Sequence, residues 1–137
     1  IARIHWVVVA SPEYLDARGR PRSPADLAAH VAMLHARDSG HWRFQGPDGW
    51  EEVRMNFRIR TTNGHMLVAA ARAGLGMTLI PKFMVEGELA RGELEMVLPD
   101  FPHEGADLQV FMPHARSRIA RVRALLDFLY EKINPEA

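Results

Sequence analysis

A short polar segment at residues 61–65 is the strongest candidate for binding chemistry in this sequence. Three consecutive side chains can accept hydrogen bonds from the free backbone amides of a helix start: Thr61, Thr62 and Asn63. The apolar run Met66–Ala73 follows them, so a helix is predicted there. The amides of Gly64 and His65 would then lie at the positive end of the helix dipole, where a carboxylate or similar anion binds well. The segment is either a helix cap or an anion site, and the residues alone favour the cap.

The seven histidines suggest a metal site or a catalytic site, but their spacing does not fit one. No two of them lie four residues apart within a predicted helix, the spacing that directs two imidazoles at one ion. The sequence has no cysteine, which excludes thiolate ligands, thiolate nucleophiles and disulfides. No serine has the flanking glycines of a hydrolase nucleophile elbow. We therefore predict no catalytic residue, no metal site and no cofactor.

Three arginines could hold an anion or a nucleic acid, because they share one face of the strand predicted at Trp50–Arg60: Arg54, Arg58 and Arg60. The opposite face carries the residues predicted to reach the core: Val53, Met55, Phe57 and Ile59. The chain has 17 basic and 17 acidic side chains and a net charge of zero. Without an overall positive field or interleaved exposed aromatics, the arginine face is more typical of a solvated strand.

The polar segment opens a helix-to-strand unit that predicts the fold. Gly74 can end the helix in the left-handed conformation, and Leu75–Ile80 is an apolar run closed by Pro81, typical of a buried parallel strand. Ile4–Ala10 is β-branched and apolar on both faces, as in a central strand of a parallel sheet. Methionines at core-facing positions are interpreted as packing: Met66, Met77, Met84 and Met96. The pattern predicts an α/β protein with a mostly parallel sheet covered by helices.

The remaining elements alternate in the same way along the chain. Predicted helices are Pro12–Arg18 capped by Ser11, Pro24–His30 capped by Ser23, Lys82–Arg91 ended by Gly92, and Ser117–Ile133. The helix at the end of the chain has an apolar stripe: Ile119, Val122, Leu126, Leu129 and Ile133. Predicted strands are Val31–His35, a hairpin strand at Trp42–Phe44, an edge strand at Glu93–Leu98, and one with inward residues Leu108, Val110 and Met112. Pro99–Gly105 is the predicted crossover between two parts of the chain.

Length and composition limit the classes of function. A chain of 137 residues with 47% hydrophobic content can bury a core, and no apolar run approaches the ~20 residues that span a bilayer. Zero net charge gives no attraction to phosphate backbones or anionic membranes. We expect this chain alone to bind DNA poorly and to have no membrane partner.

Several motifs together resemble the effector-binding part of LysR-type transcriptional regulators. They are GLGMTLIP after an Ala-rich helix that opens with Thr-Asn, ASPEYL, GRPRSPADLAAH and a later G-E-L strand. The resemblance runs nearly end to end and implies a periplasmic-binding-protein-like (type II) α/β fold, with a mixed, mostly parallel sheet flanked by helices. It also implies two lobes, with residues 1–101 forming the second lobe and 102–137 returning to the first. The C-terminal strand and helix would then be exposed, repacked or exchanged with another copy.

The resemblance implies a non-enzymatic domain that binds a small-molecule effector, such as a carboxylate or other anion, between its lobes. The implied ligand-binding residues are Ser11, Pro12, His35, Ala36, Arg37, Thr61, Thr62, Asn63 and Gly64. The intact regulator would be a cytoplasmic homo-oligomer that binds DNA through an N-terminal winged helix-turn-helix with no counterpart here. Two alternatives remain open: a solute-binding protein for transport, and a small α/β enzyme using His35, Asp38 and His41.

Overall fold

The computed structural model describes residues 2–103, 106–108 and 120–133, which form two compact units. One unit is Trp6–Glu104, and the other combines Ile1–His5 with Gly105–Ala137. The strands are β1 (Ala2–Ile4), β2 (Trp6–Ala10), β3 (Val31–His35), β4 (His41–Gly46), β5 (Gly49–Arg54), β6 (Asn56–Thr61), β7 (Met77–Pro81), β8 (Glu95–Val97) and β9 (Ala106–Leu108). The α-helices are α1 (Pro12–Arg18), α2 (Gly64–Arg72), α3 (Glu86–Ala90) and α4 (Ala120–Ile133), and 3-10 helices span Pro24–Ala29 and Lys82–Met84.

A five-stranded sheet organises the larger unit, in the order β6-β3-β7-β2-β8. Strands β6, β3 and β7 are parallel, whereas β2 is antiparallel to both β7 and β8. Since β8 opposes β2, it runs in the same direction as the first three. The predicted mixed, mostly parallel sheet is confirmed. The prediction that the strand ending at Ala10 has parallel neighbours is wrong, because β2 is the one reversed strand.

Both faces of this sheet are covered, which explains why β2 is apolar at every position. Val8 and Ala10 belong to one hydrophobic cluster, together with α1 and the β4-β5 hairpin. Val7 and Val9 belong to the cluster on the other face, which contains the buried side of α2. Alternate side chains of a strand point to opposite faces, so a strand covered on both faces has no polar side.

Local capping signals are the most accurate part of the sequence prediction. Helix α1 covers the predicted residues, with Pro12 in the first turn, the hydroxyl of Ser11 accepting from the Tyr14 amide at 3.1 Å, and Gly19 at a φ of +88°. The next predicted helix is a 3-10 helix, opened by a capping box between Ser23 and Asp26. The predicted helix Lys82–Arg91 is divided into a 3-10 turn and α3, and β8 is an edge strand as predicted.

The strand predicted at Trp50–Arg60 is in fact two strands separated at Met55. Strand β5 pairs with β4, whereas β6 joins the five-stranded sheet beside β3. The register shifts between Ala32 and Met33, which pair with Phe57 and Ile59, so Arg58 is the extra residue of a β-bulge. The bulge breaks the predicted alternation after Phe57. The prediction that Ile59 shares a face with Met55 is wrong, because Ile59 packs against the α2 cluster and Met55 belongs to the cluster on the other face. Phe57 is 52% exposed instead of lying in the core with Met55.

The helix-to-strand unit around the two glycines agrees with the prediction, except at its ends. Gly74 follows α2 with a φ of +80°, and the strand begins at Met77, leaving Leu75 41% exposed. Met77 is fully buried as predicted, but Met66 is 56% exposed, so its predicted role in core packing is wrong. Met84 and Met96 are partly buried against the α2 cluster.

The smaller unit contains an antiparallel pair and a helix among its described residues. Strand β1 pairs with β9, so the predicted strand Ile4–Ala10 is divided at His5 between the two units. On α4, Val122, Leu126 and Leu129 are half-buried as the predicted stripe requires, whereas Leu125 and Phe128 are more than half exposed. The remaining predictions for this region lie outside the described backbone or side chains: Val110, Met112, Ser117, Ile119 and the side chain of Ile133.

Candidate anion-binding site

Two of the predicted ligand-binding segments lie side by side at one edge of the sheet. Because β3 and β6 are parallel, their carboxyl ends meet, and His35 pairs with Thr61. The Ala36 amide donates to the Thr61 carbonyl at 2.8 Å. We call residues 35–37 and 61–64 the polar edge. Carboxyl ends of strands are where open α/β sheets bind ligands.

The start of α2 at the polar edge is capped by Asn63, but some of its hydrogen-bond donors have no partner within the described chain. The side-chain oxygen of Asn63 accepts from the amides of His65 at 3.0 Å and Met66 at 3.3 Å. The predicted free amide of His65 is therefore occupied, because the cap side chain reaches it. The N–H of Gly64 has no partner inside the helix, and the exposed Thr62 hydroxyl makes no hydrogen bond within the described chain.

Arg60 holds the neighbouring loop, a role that the sequence did not reveal. Its Nη1 donates to the carbonyls of Ala36 at 3.3 Å and Asp38 at 2.5 Å. Its guanidinium also stacks over the Phe57 ring, 4.7 Å from the centroid. The bulge at Arg58 puts Phe57 and Arg60 on one face, so simple alternation could not predict this stacking. Arg60 acts as a positioning residue for the loop.

The polar edge contains one exposed cation, Arg37, and a second cation and an exposed ring lie beside it. Arg37 follows β3, and its amide donates to Nδ1 of His35 at 3.1 Å. Lys82 follows β7, whose carboxyl end lies at the same edge because β7 is parallel to β3. Phe83 beside it is 61% exposed, and a Cβ on Gly64 would come within 2.9 Å of the Met84 methyl group. Residues 82–83 were not among the predicted site residues, although the strand-ending Pro81 marked where they begin.

Ser11 and Pro12 do not lie at the polar edge. Strand β2 is reversed, so Trp6 pairs with Pro81 at the polar edge and Val9 pairs with Thr78 towards the opposite edge. Ser11 is fully buried, and its hydroxyl caps α1. The structure therefore separates these two residues from the other predicted site residues, because strand direction, unlike a cap, is not encoded locally.

The three residues of the alternative enzyme site take part in local structure instead. The Asp38 carboxylate accepts from the Trp42 indole at 2.9 Å and the Gly40 amide at 2.8 Å. His41 lies 3.5 Å from the Glu52 carboxylate, and His35 accepts from the loop backbone. Within residues 2–103, 106–108 and 120–133, no three metal-ligating side chains come together. In the same part of the chain, no helix is long and apolar enough to cross a bilayer.

The fold and the comparisons define the class of protein. Covered on both faces and with one reversed strand, the sheet is that of a periplasmic-binding-protein-like regulatory domain. The chain resembles full-length AphB of Vibrio cholerae, described as a virulence activator of the LTTR family, with a TM-score of 0.83 and 25% sequence identity. The aligned region covers 97% of this chain and 46% of AphB. The regulatory domain of CrgA from Neisseria meningitidis shares the fold, with a TM-score of 0.75, 24% identity, and coverage of 96% and 66%.

Sequence comparison gives the family. Residues 1–134 match the family described as LysR substrate binding domain, and the chain belongs to this family. It is 30% identical over 132 residues to the HTH-type transcriptional regulator PtxR of Pseudomonas aeruginosa, covering 95% of the chain and 42% of PtxR. The chain thus spans less than half the length of these full-length relatives. The predicted family is confirmed, and these relatives are regulators, which favours the regulatory assignment over the enzyme and transport alternatives.

Proposed function

We propose that the chain is the effector-sensing domain of a LysR-type, DNA-binding transcriptional regulator that works in the cytoplasm as a homo-oligomer. DNA contacts belong to parts of the longer regulator outside this chain. Two observations support this division: the relatives are about twice as long and are named as HTH-type or LTTR regulators, and the chain has zero net charge.

The effector carries a carboxylate or similar anion, and the polar edge binds it. The observation that carries this proposal is the pairing of His35 with Thr61, which joins two predicted segments 26 positions apart in sequence at one edge. The Gly64 N–H and the Thr62 hydroxyl are hydrogen-bond donors there, and Arg37 and Lys82 supply positive charge. A helix start, hydroxyls and cations together favour an anion more than a neutral ligand.

The effector acts as a switch by binding one conformation of the regulator more tightly than another, since a ligand shifts an equilibrium only by its differential affinity. The polar edge suits this role because few hydrogen bonds join the loop after β3 to β6. Arg60 and the Ala36 amide fix the loop to β6, and the ligand adds a further link between the loop and the start of α2. Binding therefore stabilises one arrangement of two segments that belong to different strands.

The substitution Asn63→Asp separates ligand binding from helix capping. Aspartate caps helices as well as asparagine does, so α2 keeps its cap and its favourable dipole interaction. The new carboxylate replaces the amide NH₂ with a negative charge that repels an anionic effector. A thermal-shift screen of small carboxylates against their neutral amides identifies the effector class. We expect a bound carboxylate at a hundredfold excess over its Kd to raise the melting temperature by about 5 °C or more.

The control variant is Gln45→Glu, which adds the same charge at an exposed position of β4, outside the polar edge. We expect Asn63→Asp to melt at about the wild-type temperature without ligand and to lose most of the carboxylate-induced shift, whereas Gln45→Glu keeps it. If Asn63→Asp retains the full shift, the polar edge does not bind the effector.

A further inference from the structure

A pocket lies at the edge of the same sheet opposite to the polar edge. It has a volume of about 260 Å³ and is bounded by α1, by Val31 at the start of β3, by Arg58 of β6 and by the turn at residues 73–75. Val31 begins the strand that His35 ends, so this pocket and the polar edge lie at opposite ends of β3. The two ends are four residue steps apart along the strand, about 13 Å.

A β-bulge gives Arg58 its place in the pocket wall. The pairs Ala32–Phe57 and Met33–Ile59 leave Arg58 without a partner residue on β3. Bulges are rare between parallel strands and redirect the side chain of the extra residue. The irregular pairing thus places the Arg58 side chain in the pocket wall. In a regular strand, the side chains would continue to alternate between the two faces of the sheet.

The charges that line the pocket favour a monoanion. Arg18 and Arg58 are exposed, and neither guanidinium makes a hydrogen bond or ion pair within the described residues. Glu13 is the acidic residue in the lining, so the side chains carry two positive charges and one negative charge. The charged side chains of the lining therefore sum to one positive charge, which a single carboxylate neutralises.

The rest of the lining is mostly apolar. Tyr14 is 6% exposed, and its hydroxyl is hydrogen-bonded to Nδ1 of His30 at 3.0 Å and accepts from the Val31 amide at 3.2 Å. Because that hydroxyl is already engaged, the tyrosine offers mainly its ring to a ligand. Ala17 and Leu75 add apolar surface. The volume is below the 300–1,000 Å³ of common ligand pockets, so it suits a small molecule.

We propose that this pocket is a second ligand site, which binds a short aliphatic monocarboxylate. Arg18 and Arg58 hold the carboxylate by charge-assisted hydrogen bonds, and the apolar lining covers the aliphatic chain. The site lies within the unit Trp6–Glu104 and uses none of the residues of the polar edge. It therefore does not depend on the proposed effector site.

Butanoate and its neutral isostere butanamide test this site by two-dimensional ¹H–¹⁵N NMR titration of the 137-residue chain. We expect butanoate to shift the amide signals of Gly74 and Leu75, and butanamide to bind at least about tenfold more weakly, because it lacks the charge. Arg58→Gln should weaken butanoate binding by a similar factor. Equal responses to the two compounds, or full binding by Arg58→Gln, would overturn the proposal.

Two further variants control for folding and for the effector site. Glu13→Gln removes the negative charge that repels butanoate, so it should tighten butanoate binding about twofold. Misfolding cannot produce tighter binding. Arg54→Gln removes an exposed arginine outside the pocket and should leave binding unchanged. Asn63→Asp should also leave the Gly74 and Leu75 shifts intact, which distinguishes failure of this site from failure of the polar edge. Loss of these shifts in Arg54→Gln or Asn63→Asp would contradict the assignment.

Discussion

Gly76 is the position where the structure predicts the largest cost for adding a single methyl group. A Cβ there would lie 2.5 Å from the carbonyl oxygen of Val31 and 3.0 Å from the sulfur of Met33. The first of these atoms belongs to the backbone of β3, so it cannot move aside as a flexible side chain would. Gly76 also has a φ of +157°, which L-residues rarely adopt. Gly76→Ala must therefore push the start of β7 away from β3.

Two other glycines with positive φ provide matched controls. Gly74 has a φ of +80°, and a Cβ there would lie 3.5 Å from the Ser11 hydroxyl, an ordinary contact. Gly19 has a φ of +88°, and a Cβ would meet nothing within 4 Å. Alanine costs about 1–2 kcal/mol at Gly74 for a left-handed backbone, and about 1–3 kcal/mol at Gly19, whose ψ of 147° lies outside the left-handed α region. At Gly76, overpacking of about 1–3 kcal/mol adds to a backbone cost of similar size, giving about 2–6 kcal/mol.

Urea denaturation followed by circular dichroism measures these differences. All three Gly→Ala changes reduce the entropy of the unfolded chain to a similar extent, so this contribution cancels in the comparison. We expect Gly76→Ala to lower the free energy of unfolding by at least about 1 kcal/mol more than Gly74→Ala or Gly19→Ala does. Equal losses at the three positions would show that the close approach of residue 76 to β3 is not what requires glycine there.

Two further predictions concern His30 and Arg60. Burial, with a smaller contribution from the Arg18 charge, lowers the pKa of His30, so the unfolded chain takes up a proton first as the pH falls. The contribution of neutral His30 to the free energy of unfolding is therefore complete above the ordinary pKa of about 6.5 and is lost as the pH falls below it. Urea midpoints between about pH 7.5 and about pH 5.5 should therefore fall less in His30→Gln than in the wild type, and equal falls would exclude His30 as the cause. Arg60→Gln removes the bonds to the Ala36 and Asp38 carbonyls, so amide hydrogen exchange in residues 36–40 should become about three- to tenfold faster, with Arg54→Gln as the unchanged control. Unaltered exchange in Arg60→Gln would mean that other contacts hold the loop.

The sequence predicted those features that neighbouring residues determine. The cap at Ser11 with Pro12 gave the limits of α1, and the Thr-Asn segment gave the start of α2. Each depends on hydrogen bonds that span three residues or fewer, so the necessary information is local. The same reasoning identified a polar helix start, but could not tell that Asn63 would occupy the His65 amide.

The features that the sequence did not predict depend on pairing between distant segments. The apolar pattern around Phe57 was typical of one alternating strand, yet Met55 ends one pairing and β6 begins another beside β3. The bulge at Arg58 then reverses the faces of the residues after it. Nothing in residues 50–60 encodes the partner strand, so neither the stacking of Arg60 on Phe57 nor the place of Arg58 in a pocket could be predicted.

The reversed direction of β2 decides which residues can act together. With parallel neighbours, β2 would have ended at the same edge as β3 and β7, and Ser11 would have joined His35 there, as predicted. Its antiparallel pairing instead places Ser11 and α1 near Gly74 and Val31, at the opposite edge. One strand reversal thus removes two predicted residues from the polar edge and supplies the α1 wall of the pocket that Arg58 lines. The larger unit thereby acquires two separate edges with positive charge, and the Asn63 and Arg58 variants test them independently.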